Sequence, residues 1–123
     1  MKAATIIART LLGLVFVVFG LNAFFNFIHM PPPPDGAAKD FMYALFNSHY
    51  LYAIKVFEIV GGSLLLIGRV PLGLTLVGPV LVNILFYDIF MDHSGLGLGL
   101  VMAVLALFLL FRNRIYFAGL LRA

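Results

Sequence analysis

Four long apolar stretches occupy most of this 123-residue chain, and a chain built that way cannot be a water-soluble domain with a single shielded core. Hydrophobic residues make up 63% of it and charged residues only 11%. A soluble domain of this size buries roughly two-thirds of the surface its unfolded chain exposes, so this much apolar side chain has to meet lipid. The stretches run from about Thr5 to Ile28, Leu51 to Ile67, Val70 to Met91 and Leu96 to Phe111. Each, at about 20 residues, is long enough to cross a hydrocarbon core of roughly 30 Å as a helix. Helices are the expected form because lipid cannot satisfy open backbone groups, and the alternating segments of a membrane barrel are absent. The expected fold is therefore all-α: a polytopic membrane protein, one domain over residues 1–123, built as a four-transmembrane-helix bundle.

Lys2 ahead of the first stretch invites comparison with a signal peptide. The apolar region is too long for one, Arg9, Asn22 and Asn26 interrupt it, and the small-residue cleavage pattern is missing. With four spans, Lys2, Arg9, Arg69, Arg112, Arg114 and Arg122 fall on one side, whereas Asp35, Lys39, Asp40, Asp92 and His93 fall on the other. The positive-inside rule then places both termini in the cytoplasm of a multi-pass protein of the cell membrane. The net charge of +3 reflects that anchoring and gives no reason to expect nucleic acid. With no cysteine, the chain has no disulfides, thiol redox chemistry, iron–sulfur clusters or Cys-ligated zinc.

The longest connection opens with Pro31 to Pro34, which favour an extended geometry, followed by Asp35-Gly36 as a helix start. From Ala37 to His49, Phe41, Met42, Leu45 and Phe46 recur at helical spacing against Lys39, Asp40, Asn47 and Ser48. That pattern predicts a short amphipathic helix on the outer membrane surface, between the first and second spans. The other connections, Gly68 to Pro71 and Asp92 to Gly95, are tight and make successive helices antiparallel neighbours. Gly13 and Gly20 share one face of the first span, Gly61 and Gly62 break the middle of the second, and Gly95, Gly97 and Gly99 open the fourth. Small residues let helices approach closely where lipid offers no hydrophobic drive.

Six polar residues inside the apolar stretches are the candidate ligand-binding or buried polar site: Asn22, Asn26, Lys55, Glu58, Asn83 and Asp88. A rise of about 1.5 Å per residue puts Asn22 roughly 25 Å, Asn83 about 20 Å and Asp88 about 27 Å from the cytoplasmic side. By the same rise Lys55 and Glu58 lie about 6 and 10 Å below the outer end of the second span. Asn22, Asn26 and His29 follow i, i+4, i+7 and form a stripe, and Lys55 and Glu58 are neighbours at i, i+3. Asp88 is offset from Asn83 by about 140° around the helix. Ionisable groups at such depth usually face the bundle interior, pair up and mark function. The expected pairings are Glu58 with Asn22 or Asn83, and Lys55 with Asp88 or Glu58, around a pocket open toward the outer leaflet. Interhelical polar contacts that only hold the helices together are the structural alternative. Arg9, near the inner surface, is expected at lipid phosphate or a helix end. No catalytic Ser/His/Asp arrangement is evident, and the three histidines lie in loops at scattered spacing rather than in a metal-ligand pattern.

Several segments, in order, resemble the DoxX family of small four-helix membrane proteins. They are Arg9 to Phe16 with Phe19-Gly20-Leu21-Asn22, Met30 to Pro34, Glu58 to Gly62 with Gly68-Arg69, Pro79 to Ile84, and Ser94-Gly95-Leu96. The chain departs from that pattern at Ala23, where members often carry a basic residue, and at Asp88, where they often carry histidine. The resemblance implies a link with membrane oxidoreductase assemblies, including quinone-reducing ones. With no cysteine and no evident haem ligand, electrons would have to come from a partner. The expected role is an accessory subunit of a larger membrane complex, without catalysis of its own, among other membrane subunits or in a homo-oligomer. Two alternatives stand beside it. One is a quinone- or lipid-binding component that uses the polar cluster around Glu58 and has no intrinsic cofactor; the other is a small transporter.

Overall fold

A computed structural model describes residues 2–122, and every regular element in it is helical. Helix α1 covers Lys2–Phe25, α2 Ala37–Asn47, α3 Tyr50–Leu66, α4 Val70–Phe90 and α5 Leu96–Arg112; a last short helix, α6, covers Arg114–Phe117. A 3-10 turn at His93–Gly95 leads into α5, and another at Ala118–Leu121 follows α6. The four long helices close a ring: α1 packs on α3, α3 on α4, α4 on α5, and α5 back on α1. The core is a column formed by Ala8, Leu12 and Phe16 of α1, Leu65 of α3, Val70, Leu74, Val77 and Leu81 of α4, and Met102 and Leu109 of α5.

Three helical runs are long and apolar enough to cross a membrane: α1, α4, and His93–Arg112, which joins the 3-10 turn to α5. Helix α3 has 17 residues and reaches spanning length only together with α2, from which it is bent by 84°. His49, in the left-handed region at φ 64°, makes the bend. The segment expected to be amphipathic is thus a helix standing nearly square to α3, with Ala38 buried and Phe41 in ring contact with Tyr87.

Local chemistry sets the helix ends. Helix α1 stops at Phe25, short of the expected Ile28, because Asn26 takes a left-handed φ of 55° that asparagine tolerates better than most residues. Gly68, at φ 92°, closes α3. The Arg69 amide donates to the Leu64 carbonyl at 2.8 Å and the Gly68 amide to the Leu65 carbonyl at 3.2 Å, the paired bonds of a Schellman turn. Pro71 then sits in the first turn of α4, where a missing amide hydrogen matters least. Before α5, Asp92 accepts a bond from the Ser94 amide at 3.1 Å, and this bond holds its carboxyl below the ordinary carboxylate range.

Gly61 and Gly62 do not break α3; they hold it between two neighbours. A Cβ on Gly62 would lie 2.9 Å from the Gly13 carbonyl of α1, and one on Gly61 would run into Cγ1 of Val77 in α4. On the facing helices, a Cβ on Gly13 would meet the Gly62 carbonyl at 2.8 Å, and one on Gly73 the Gly61 carbonyl at 2.9 Å. Adjacent helical residues point about 100° apart, so one glycine pair serves both interfaces.

Candidate functional site

The inward face of each helix decides which polar residues can meet. On α3 the buried positions Leu51, Glu58 and Leu65 recur every seventh residue, which puts Glu58 on the line facing the bundle. On α4, Val70, Leu74, Val77, Leu81 and Asp88 form the equivalent line. Asn83 is two residues from Leu81, about 200° around the helix, and it is exposed.

Glu58 is 3% exposed and pairs with Lys55 on its own helix, whose Nζ lies 3.4 Å from Oε1 and 3.2 Å from Oε2. Gly20 of α1 packs over the same turn, where a Cβ would meet Ile59 Cγ1 at 2.7 Å and the Lys55 carbonyl at 3.3 Å. Lys55 therefore takes the Glu58 alternative among its two expected partners and leaves Asp88 alone.

Asn22, also buried, turns back on its own chain. Its Oδ1 accepts from the Ile28 amide at 2.7 Å and its Nδ2 donates to the Ile28 carbonyl at 3.2 Å. These two bonds fold residues 26–28 over the end of α1. The stripe expected from Asn22, Asn26 and His29 does not form, because the helix ends before Asn26; Asn26 and His29 are both exposed. Asn83 donates from Nδ2 to the Pro79 carbonyl at 2.9 Å, one turn back in its own helix. The expected contacts of Glu58 with Asn22 or Asn83 are accordingly replaced by bonds that each group makes locally.

Asp88 is 5% exposed and lies against the start of α5. A Cβ on Gly99 would be 2.6 Å from its Oδ2, and one on Gly95 would be 3.1 Å from its Oδ1. Those two glycines make the recess that the carboxyl group fills. Among the described residues Oδ2 has no hydrogen-bond partner. An unpaired buried polar group is destabilising by roughly 1–3 kcal/mol, so Asp88→Ala should leave the melting temperature unchanged or raise it. Gly99→Ala should lower it, and the double variant should recover most of that loss. Equal loss in the single and double Gly99 variants, measured by thermal unfolding in detergent, would show that Asp88 is not what fills the recess.

The six candidates thus divide into a buried Glu58–Lys55 pair, an Asn22 turn, a buried Asp88 against α5, and two exposed asparagines. None of them lines the cavity of about 280 Å³ at the opposite end of the ring, which is bounded by Lys2, Thr5, Ile6, Arg9, Gly68, Val70, Arg112 and Asn113. Arg9 is the functional-looking residue there: its Nη1 donates to the carbonyls of Leu65 at 3.0 Å and Leu66 at 2.7 Å, capping α3. A cation at a helix C-terminus also meets the negative end of the dipole. Among the described residues, no group of three His, Asp or Glu is placed to share a metal ion.

Comparison with family models, with curated proteins and with solved structures found no match.

Proposed function

We propose that this chain is a DoxX-like, four-span membrane protein that serves as a non-catalytic accessory subunit of a larger, redox-linked membrane assembly. Both termini face the cytoplasm, α3 is the second of the four spans, and α2 lies along the outer surface. The clustering of Lys2, Arg9, Arg69, Arg112, Arg114 and Arg122 at one end of the helices supports that orientation. The 84° bend between α2 and α3 supports a helix lying flat beside a crossing one.

One observation carries the accessory role: Glu58, Asn22 and Asn83 are bonded within their own segments rather than around a shared space, and Asp88 is packed against α5 apart from them. Glu58 is taken by Lys55, Asn22 by the Ile28 peptide, and Asn83 by the Pro79 carbonyl. The outer face of α5 is left apolar and open, with Leu98, Val101, Val104 and Leu107 exposed and no atom within 4 Å of a Cβ on Gly97. The test is mass spectrometry of the protein isolated from native membranes in mild detergent. Stoichiometric membrane subunits are expected, retained in Glu58→Gln and lost in Gly97→Leu while the isolated chain still folds. A lone chain carrying stoichiometric quinone, lost in Glu58→Gln, would overturn this reading in favour of a quinone-binding component centred on Glu58.

A further inference from the structure

We infer that the cavity between the start of α1, the α3–α4 turn and the end of α5 is a binding site for a phosphate group, carried by an acidic lipid headgroup or by a soluble phosphate. The inference does not rest on the accessory role. Three cationic side chains, Lys2, Arg9 and Arg112, line this space of about 280 Å³ together with Thr5 and Asn113. Among the described residues, no acidic one lines it. All five acidic residues of the chain, Asp35, Asp40, Glu58, Asp88 and Asp92, lie elsewhere. The nearest in sequence to an element of this end is Glu58, eight residues before the last residue of α3, or about 12 Å along the helix axis. Among the described residues, no carboxylate balances the positive charge here.

Basic residues beside membrane spans ordinarily extend into water or toward the headgroups. Arg9 differs: it is half-buried and turned inward, held by two bonds to α3 carbonyls. Both bonds use Nη1 and occupy its two hydrogens. A guanidinium carries five N–H donors in a rigid fork, so those on Nη2 and Nε remain for an anion. The fork is held in position before any ligand arrives, which reduces the ordering cost of binding.

The negative helix ends around the cavity are capped by the protein's own side chains. Helices α3 and α5 bring their negative C-terminal ends here, yet Arg9 covers Leu65 and Leu66, and Asn113 Nδ2 donates to the Leu109 carbonyl at 2.8 Å. Arg112, whose Nε donates to Thr5 Oγ1 at 3.3 Å, ties α5 to α1 across the mouth. The cavity is smaller than the roughly 300–1,000 Å³ typical of sites for drug-sized molecules. A phosphate with part of its glycerol fits the chemistry: bidentate guanidinium bonds, a second guanidinium and an ammonium, with hydroxyl and amide groups at the side. Basic pockets between membrane helices on the cytoplasmic side suit such headgroups.

The experiment is a thermal-unfolding titration of the full chain in neutral detergent with three probes: inorganic phosphate, short-chain phosphatidylglycerol and short-chain phosphatidylcholine. Phosphatidylglycerol is expected to raise the melting temperature, and phosphatidylcholine to raise it far less. The apparent affinity should weaken at least about tenfold in the Lys2→Gln/Arg112→Gln double variant. That variant leaves the Arg9 cap intact and removes only the exposed Arg112–Thr5 bond, so its unliganded melt is the reference for its titration, and Arg69→Gln, at the same end but outside the cavity, should behave as the parent. A response to inorganic phosphate as well as to phosphatidylglycerol supports the site and names the phosphate group alone as the determinant. A response to phosphatidylglycerol only supports the site and names the lipid as its source. No response to either probe overturns the proposal, as does a response that the double variant retains in full.

Discussion

Gly62→Ala should unfold at distinctly lower temperature or denaturant than the parent, and Gly62→Leu should fail to assemble the α1–α3 pair. A methyl group on Gly62 meets three positions that cannot easily yield: the Gly13 carbonyl at 2.9 Å, Phe16 Cβ at 3.0 Å and Val17 Cγ2 at 3.0 Å. Two of these are backbone or attached directly to it, so relief requires α1 and α3 to move apart. Overpacking of that kind is destabilising by about 1–3 kcal/mol. Alanine's better helix propensity returns up to about 1 kcal/mol, so a net loss is expected but a modest one. Two other glycines provide the control. A Cβ on Gly78 or Gly97 has no neighbour within 4 Å. Gly78→Ala and Gly97→Ala should therefore match the parent or exceed it slightly. Circular dichroism melts of the four variants in one detergent decide the matter. If Gly62→Ala melts with Gly78→Ala, the helices do not touch through their backbones at this point.

The second large effect concerns the buried ion pair. Lys55→Met leaves Glu58, 3% exposed, without its cation. Removing one partner of a buried pair is destabilising by about 3–5 kcal/mol. The lower end of that range applies because the Lys55 side chain is 20% exposed, which screens the interaction in part. Glu58→Gln should be milder, since the released lysine, already 20% exposed, can extend away from the bundle. The double variant Lys55→Met/Glu58→Leu, apolar and of similar volume, should return close to the parent, because neither charge then has to be desolvated. With Glu58→Leu as the matching second single variant, equilibrium unfolding of the parent, the two single variants and the double variant yields the coupling energy directly. Additive losses would mean that the two side chains do not act as a pair, and that Glu58 is held by something else.

Much of this architecture was legible in the chain itself. Long apolar runs, Gly68 before Arg69-Val70-Pro71, and Asp92-His93-Ser94-Gly95 mark helices and their ends, because local backbone chemistry acts over a few residues. The α3 and α4 starts fall within a residue of expectation for that reason. The end of α1 does not. The Asn22 side chain reaches forward to the Ile28 peptide and stops the helix at Phe25, where hydropathy alone carries it onward to Ile28. An asparagine four residues ahead of a second asparagine, with prolines close behind, was the available signal for an early stop.

The facing of polar groups was not legible. In water, a helix shows its inner side by the contrast between apolar and polar residues. In an apolar span that contrast vanishes. Phe86 and Ile89 of α4 are exposed, whereas Val77 and Leu81 on the same helix are buried. Asn83 and Asp88 consequently look alike in sequence, although one points outward and bonds its own helix while the other fills a recess made by two glycines. Composition and length alone determined that the chain is helical, with helices long and apolar enough to cross a membrane, because the hydrophobic effect and backbone satisfaction act on every residue without regard to its neighbours. Which glycines touch, which carboxylate finds a cation, and where the basic cavity opens were decided only by tertiary packing. Those outcomes depend on the rotation of each helix about its axis, which is set by close contact between backbones far apart in sequence.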